Sequence, residues 1–339
     1  MKAYEITEFG IGNLSLVKRQ RPEPAPMEVL VKFHAASLNF RDLMIVGGTY
    51  NPRMKLPVIP FSDGAGEVVA VGDHVKKWMP GDRVMPIFMQ GWTDGEVNVD
   101  KGRTALGGAA RWNGVLREFG AFSEESLVRV PDHLTYEEAS TLPCAAVTAW
   151  HALAVSGKLK AGDTVLTLGS GGVSVFALQF AKLFGANVIA TSSSDEKLER
   201  LADLGADNCI NYRTRDDWET AVLELTGKAG VDHVVEVGGA GTLSKSAAAV
   251  RVGGHIALIG ALTGAGSFNP LQIFMKSVRL QGIFVGSRKM FEDMNRAISL
   301  NKLRPVIDRV FDFDQVREAL SYMESGSHFG KIVVKIHGD

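Results

Sequence analysis

Cysteine is almost absent from this chain: Cys144 and Cys209 are the only two in 339 residues. Two thiols exclude a disulfide framework and a four-thiolate zinc site. An excess of charge of one sign is lacking as well. The formal net charge of −1 offers no field to nucleic acid or to an anionic membrane surface. No uninterrupted apolar run reaches about 18 residues, so no membrane span is expected. The opening Met1 to Glu8 lacks the apolar stretch of a secretory signal. These absences leave a cytoplasmic protein with a small-molecule substrate as the expectation.

What is present is a glycine-rich α/β chain, long enough that two domains are expected rather than one core. The run Leu168-Gly169-Ser170-Gly171-Gly172-Val173-Ser174 follows the apolar stretch Thr164 to Leu168 and precedes an amphipathic helix, Val175 to Phe184. Strand, glycine turn and helix together aim backbone N–H groups and a positive helix end at a pyrophosphate. Gly169 permits the tight turn, Gly171 allows close approach of the phosphates, and Ser174 takes the close-packing position. A dinucleotide site is therefore expected at Gly169, Ser170, Gly171, Gly172 and Val173.

The first third of the chain has a different rhythm. Short β-rich runs (Glu28 to Phe33, Gly64 to Val71, Ser126 to Val130) are separated by Pro and Gly punctuation, which predicts an antiparallel, barrel-like domain. Thr135-Tyr136-Glu137-Glu138 matches a capping box and opens a helix. Pro143 breaks that helix and starts the next, Cys144 to Val155. From Thr164 the pattern becomes βαβ, with strands at 164–168, 187–191, 208–211, 231–237, 255–259 and 280–285. That alternation predicts a doubly wound parallel sheet. Two helical patterns and a final strand, Lys331 to Ile336, complete the tail.

Asn39-Phe40-Arg41-Asp42, Asp63-Gly64-Ala65-Gly66-Glu67-Val68-Val69, Pro80-Gly81-Asp82-Arg83-Val84, Leu142 to Trp150 and Gly330 to Val334 occur in this order. Over nearly its full length the chain thus resembles the medium-chain dehydrogenase/reductase superfamily. The resemblance implies a GroES-like catalytic domain (1–130 and 287–339), a Rossmann domain (131–286), and an active site in the cleft between them. In zinc-dependent members a cysteine stands at the position of Asn39 and a histidine at that of Ser62; only Cys144 matches a third ligand position. One thiolate with an amide and a hydroxyl is a poor zinc site. The segment Gln90 to Arg117, with no cysteine, also rules out the structural zinc lobe. No metal is expected.

Without a Lewis acid, alcohol oxidation loses its main electrostatic support. Conjugate reduction asks less, because hydrogen-bond donors can stabilise the charge that spreads onto a carbonyl oxygen. The chain resembles the zinc-free branch of quinone oxidoreductases and enoyl or enone reductases. The resemblance puts Asn39 and Tyr50 at that branch's catalytic positions; Ser62, and Trp92 in the segment that takes the zinc lobe's place, are further candidates for contact with substrate. Tyr50 would donate a proton and Asn39 would orient the carbonyl. Each has a structural alternative: Asn39 as a turn cap, Tyr50 and Trp92 as packing, Arg41 and Asp42 as an ion pair fixing the loop.

The strand 187–191 ends in Ser192-Ser193-Ser194, with no acid to bind adenosine ribose hydroxyls. Ser192, Ser193 and the cation Lys197 favour a 2′-phosphate, hence NADP(H) over NAD(H); a helix cap is the alternative for the serines. By resemblance, Tyr212 lies at the adenosine end, while Thr148, Ile259, Gly260, Phe284 and Val285 lie around the nicotinamide. Strand 280–285 is where such proteins pair as homodimers. The leading function is zinc-independent, NADPH-dependent hydride transfer to an activated alkene, carbonyl or quinone. The alternatives are a zinc-free alcohol dehydrogenase-like carbonyl reductase, an enoyl thioester reductase, and a non-catalytic dinucleotide-binding protein. Scattered Arg53, Lys55, Arg103 and Arg111 do not form a thioester-docking surface.

Overall fold

The computed structural model describes every residue except Ala110, Ala261, Ala265, Gly338 and Asp339. Ala110 belongs to the Gln90 to Arg117 segment, and the last two residues to the expected range 287–339. The chain divides into two compact units, Met1–Val147 with Gly286–Asp339, and Thr148–Val285. No helix among the described residues is long and apolar enough to cross a membrane.

The first unit is built around one strand, Glu28–Ser37, which pairs antiparallel with Asp63–Val71, with Phe119–Ser123 and with the closing strand Lys331–Lys335. These strands belong to a seven-stranded sheet that also includes Arg83–Pro86, Leu127–Arg129 and Ile307–Asp312. The pairing of Ile307–Asp312 with the closing strand is parallel; the antiparallel pattern expected from the first third of the chain did not include this strand. Val29, Val31, Phe33, Val68, Phe122, Ile332 and Val334 meet in its core. Burying such side chains is the main driving force for this unit.

Residues 131–147, expected with the Rossmann part, fall in the first unit instead. Thr135 does cap a helix, Tyr136–Ser140, with a complete capping box. Tyr136 stacks on His34 at 4.2 Å between ring centroids, and the Cys144 N–H donates to Asp63. The single helix expected from Cys144 is instead a π-helical turn, Leu142–Ala146, then one α-turn and a second π-helical stretch, His151–Gly157. Wide turns of this kind answer to tertiary contacts that the local sequence does not announce.

The second unit is a six-stranded parallel sheet in the order Asn208–Asn211, Asn187–Ser192, Thr164–Leu168, Val231–Glu236, Val250–Leu258, Arg279–Gly282. The order reverses between Thr164–Leu168 and Val231–Glu236. Doubly wound sheets bind ligands at such a reversal, beyond the strands' carboxyl ends. The last strand is shorter than the expected 280–285, because Val285 turns into left-handed backbone at φ 57°.

His233 and His255 sit opposite one another on adjacent strands of this sheet. Burial holds both imidazoles below their ordinary range, His255 at about 4. An unfolded chain takes up its proton near pH 6.5, so stability from His255 is present above that pH and is lost as pH falls toward 4. The expected loss is about 3 kcal/mol. Asp42 and Asp63, whose carboxyls burial pushes up, titrate in the opposite sense. The test is therefore the difference between wild type and His255→Asn in denaturant unfolding, which should shrink between pH 7.5 and pH 5. A gap independent of pH would refute this assignment.

Candidate active site

Asn39 ends the extended segment after Glu28–Ser37 and occupies the N-cap position of the helix Phe40–Val46. The Asn39 N–H donates to Asp42 Oδ2 at 2.8 Å. The Asn39 side chain is committed elsewhere. Its Oδ1 accepts from Lys331 Nζ at 2.7 Å, and its Nδ2 donates to Ser62 Oγ at 3.4 Å. Ser62 Oγ donates to Asp63 Oδ1 at 2.7 Å, and Asp63 Oδ2 accepts the Cys144 N–H at 3.0 Å. Asp42, Ser62 and Asp63 are fully buried and Lys331 nearly so. Burial pushes Asp42 up to about 7 and raises Asp63, while Lys331 draws Asp63 back down. Burial likewise lowers Lys331, and Asp63 draws it back up.

Arg41 does not pair with Asp42 at ion-pair distance among the described residues. Its guanidinium donates to the Leu106 carbonyl at 2.9 Å and lies 4.8 Å from the ring centres of both Tyr50 and Phe88. The Gln90 to Arg117 segment is thereby tied to the loop that carries Tyr50. Tyr50 is 39% exposed, and its hydroxyl has no hydrogen-bond partner among the described residues. A phenol held by its ring with its O–H uncommitted is suited to donating a proton.

Two sequence expectations are corrected here. Ser62 is fully buried with its hydroxyl spent on Asp63, so it supports Asn39 rather than touching substrate. Trp92 is 1% exposed and its indole N–H donates to the Gly95 carbonyl at 2.8 Å, so it packs inside its own loop. Lys331 and Asp42 were missed as site residues. A lysine opening the apolar run Ile332-Val333-Val334 was the available signal for the first.

In the second unit Gly169 adopts φ 73°, and a Cβ added at Gly169 or Gly171 would meet nothing within 4 Å. The helix Gly172–Leu183 starts at Gly171 with no side-chain cap. Its first N–H groups thus have no side-chain cap, as an anion cradle requires. Ser174 is buried and donates to the Leu168 carbonyl at 2.6 Å, closing the turn. A dinucleotide pyrophosphate fits these residues. Gly260, two residues beyond the strand Val250–Leu258, lies so close to the Val237 carbonyl that a Cβ would be 2.0 Å from it. Thr148 is buried, Ile259 is half-buried and Phe284 is 42% exposed, while the Val285 carbonyl lies 2.6 Å from His151 Nδ1.

At the adenosine end Ser192 is 1% exposed and accepts the Ser194 N–H at 3.4 Å, while Ser194 accepts the Lys197 N–H. Ser192 is therefore a buried turn residue and not a surface donor. Ser193 is half-buried, and its hydroxyl has no partner among the described residues. Tyr212, 39% exposed, donates its backbone N–H to the Ser192 carbonyl. Glu236, which the sequence reading also missed, is fully buried and accepts from Gly238, Gly239 and Thr242. An acid after the apolar pair Val234-Val235 and just before Gly238-Gly239 was its signal.

Two units of this kind, one GroES-like and one with a dinucleotide cradle, define an NAD(P)-type oxidoreductase. Residues 25–132 match the alcohol dehydrogenase GroES-like domain, and residues 172–300 match the zinc-binding dehydrogenase family. A Schizosaccharomyces pombe (strain 972 / ATCC 24843) zinc-type alcohol dehydrogenase-like protein, C1773.06c, is 45% identical, covering 92% of this chain and 91% of its own. A 2-methylene-furan-3-one reductase of Solanum lycopersicum is 33% identical, over 98% of this chain and 79% of that protein. The crystal structure of a putative alcohol dehydrogenase from Sinorhizobium meliloti 1021 aligns with TM-score 0.92 and 42% identity, covering 99% and 98% of the two chains. That of mycobacterial Rv1454c complexed with NADPH aligns with TM-score 0.83 and 30% identity, over 99% and 100%. The chain belongs to the medium-chain dehydrogenase/reductase superfamily.

Zinc, named in one of these family descriptions, does not suit the residues here. Asn39 and Ser62 are neutral and already hydrogen-bonded, and a buried ammonium donates to the Asn39 oxygen. Burial and the nearby Asp63 raise the Cys144 thiol far above its ordinary range, which disfavours a thiolate ligand. Among the described residues no group of three His, Cys, Asp or Glu could hold a metal.

Proposed function

We propose that this chain is a zinc-independent, NADPH-dependent reductase of carbonyl-activated alkenes or quinones. The observation that carries the reading is the hydrogen-bond chain from Lys331 through Asn39 and Ser62 to Asp63, in which Asn39 and Ser62 stand where zinc-dependent members carry ligands. A site without a Lewis acid must meet charge developing on a carbonyl oxygen with N–H and O–H donors. Asn39 Nδ2 holds that oxygen, and the Tyr50 hydroxyl supplies a proton. Bound NADPH supplies a hydride. The tomato relative's activity on a methylene-furanone supports an enone as the substrate class.

The test is loss of NADPH absorbance with a panel of enones, quinones, enoyl thioesters and aldehydes, beside metal analysis of the purified protein. Turnover of enones or quinones with substoichiometric zinc, insensitive to chelators, is expected. Stoichiometric zinc whose removal abolishes the rate would sink the proposal, as would tight NADPH binding with no oxidation by any acceptor.

The preference for NADPH rests on Ser193 and on the missing acid after Asn187–Ser192. Ser193→Asp is expected to weaken NADPH about tenfold or more, the scale of one like-charge contact near a surface. NADH affinity should hold. Equal losses in fluorescence titrations would mean that this turn does not read the 2′-phosphate.

We also propose a homodimer formed through Arg279–Gly282. All four residues are exposed on the free edge of the sheet, and Leu271, Phe274 and Met275 are exposed in the neighbouring helix. An open edge beside apolar side chains invites pairing. Light scattering at micromolar protein should give twice the chain mass, and a monomer would refute the pairing.

A further inference from the structure

Lys331 donates to two oxygens of adjacent residues far away in sequence, the Leu38 carbonyl at 2.5 Å and Asn39 Oδ1 at 2.7 Å, the latter 292 residues distant. The closing strand brings it there by pairing with Glu28–Ser37, Val333 opposite Ser37. We propose that Lys331 is a positioning residue that fixes the Asn39 amide so that its nitrogen, not its oxygen, faces the substrate. This rests on the reading of Asn39 as the group that holds the substrate carbonyl.

Hydrogen-bond direction sets the sense of the Asn39 amide. An ammonium can only donate, and a carbonyl or a carboxylate can only accept. Lys331 therefore obliges Asn39 to turn its oxygen inward. Ser62 gives its proton to Asp63, which leaves the Ser62 oxygen as an acceptor for Asn39 Nδ2. Ser62 Oγ accepts from that nitrogen at a long 3.4 Å, and the Asp63 carboxylate beside Ser62 also draws on the Asn39 amide. Both partners are acceptors, so it is the N–H side of the amide that faces away from Lys331, and in this proposal a substrate carbonyl competes for it. Without a donor-only group at position 331, an amide flip would exchange N–H for a lone pair and repel a carbonyl oxygen.

A purely stabilising role accounts poorly for this arrangement. A buried ammonium held by a backbone carbonyl and a neutral amide costs desolvation, and a well-packed apolar residue would serve stability as well or better. What an apolar residue cannot do is dictate the sense of a hydrogen-bond chain. The closed sequence from Lys331 through Asn39 and Ser62 to Asp63 has a donor-only start and an acceptor-only end.

A double-mutant cycle tests this. Lys331→Met is expected to lower kcat about 10- to 100-fold, the scale of a misoriented catalytic group, with KM changed less. In an Asn39→Ala background the same change should cost less than about twofold, because a residue acting through Asn39 has nothing left to position. An undiminished factor there would overturn the proposal. If Lys331→Met does not fold, Asn39→Asp decides: it keeps an acceptor for Lys331 but has no N–H, so kcat should collapse in a folded protein. Retained kcat would be fatal to the idea. If the wild type turns over no acceptor, the functional reading fails on its own, and the side-chain amide resonance of Asn39 still discriminates. It must shift in Lys331→Met; an unmoved resonance overturns the positioning role.

Discussion

Tyr50→Phe is expected to lower kcat by about 100-fold or more, within the range for removal of a positioned proton donor. The ring stays, so its contact with the Arg41 guanidinium at 4.8 Å stays too. The hydroxyl that is lost has no protein partner among the described residues, so unfolding temperature should not change. NADPH affinity should also hold, because Tyr50 lies in the first unit and the phosphate cradle in the second. Steady-state kinetics with the best acceptor, beside thermal unfolding, make the comparison. An unchanged kcat would reduce Tyr50 to a packing residue over Arg41.

Glu236→Ala should damage the second unit more than any surface change. The Glu236 carboxylate accepts the N–H groups of Gly238 and Gly239 at 2.8 and 2.9 Å and the Thr242 hydroxyl at 2.5 Å, and it also bonds the Ser246 hydroxyl. Removing it leaves four donors without their acceptor at a fully buried position. Each orphaned group costs about 1–3 kcal/mol unless water enters, and partial relaxation brings the expected total to about 3–5 kcal/mol. For a unit of this size that is a fall in melting temperature of about 10 °C or more. Glu236→Gln should fall between, since it keeps one acceptor oxygen but turns an NH2 toward a donor. A shift of under about 2 °C for the alanine variant would show that the loop does not depend on this carboxylate.

Local chemistry made much of the second unit legible. Thr164–Leu168 and Asn208–Asn211 begin and end at the expected residues, because each is bounded by turn residues. Gly169 and Gly171 declared a phosphate cradle, since backbone freedom and open space are demanded there together. Val250–Leu258 begins five residues before the expected start, because Gly253-Gly254 reads as a turn yet continues a bulged strand. The candidate site was legible only in part. Asn39 and Tyr50 stand in a recognisable loop, whereas Lys331 reaches Asn39 through strand pairing that no local pattern encodes. Trp92 was misplaced because a Trp in a glycine-rich segment looks exposed until its indole finds the Gly95 carbonyl. Ser192 was misjudged for a similar reason: a serine after a strand reads equally as a ligand donor or as the cap of its own turn.

The closing strand also orders events during synthesis. The second unit is contiguous, Thr148–Val285, and can complete its sheet while the tail is still being made. The first unit cannot. Its hub, Glu28–Ser37, keeps one edge open at Ala35, Ala36 and Ser37 until Lys335, Val334 and Val333 arrive. An open hydrophobic edge is a template for unwanted pairing. A nascent chain stalled before residue 331 would therefore present a finished dinucleotide unit beside an aggregation-prone half-sheet, and chaperone demand should concentrate on that half.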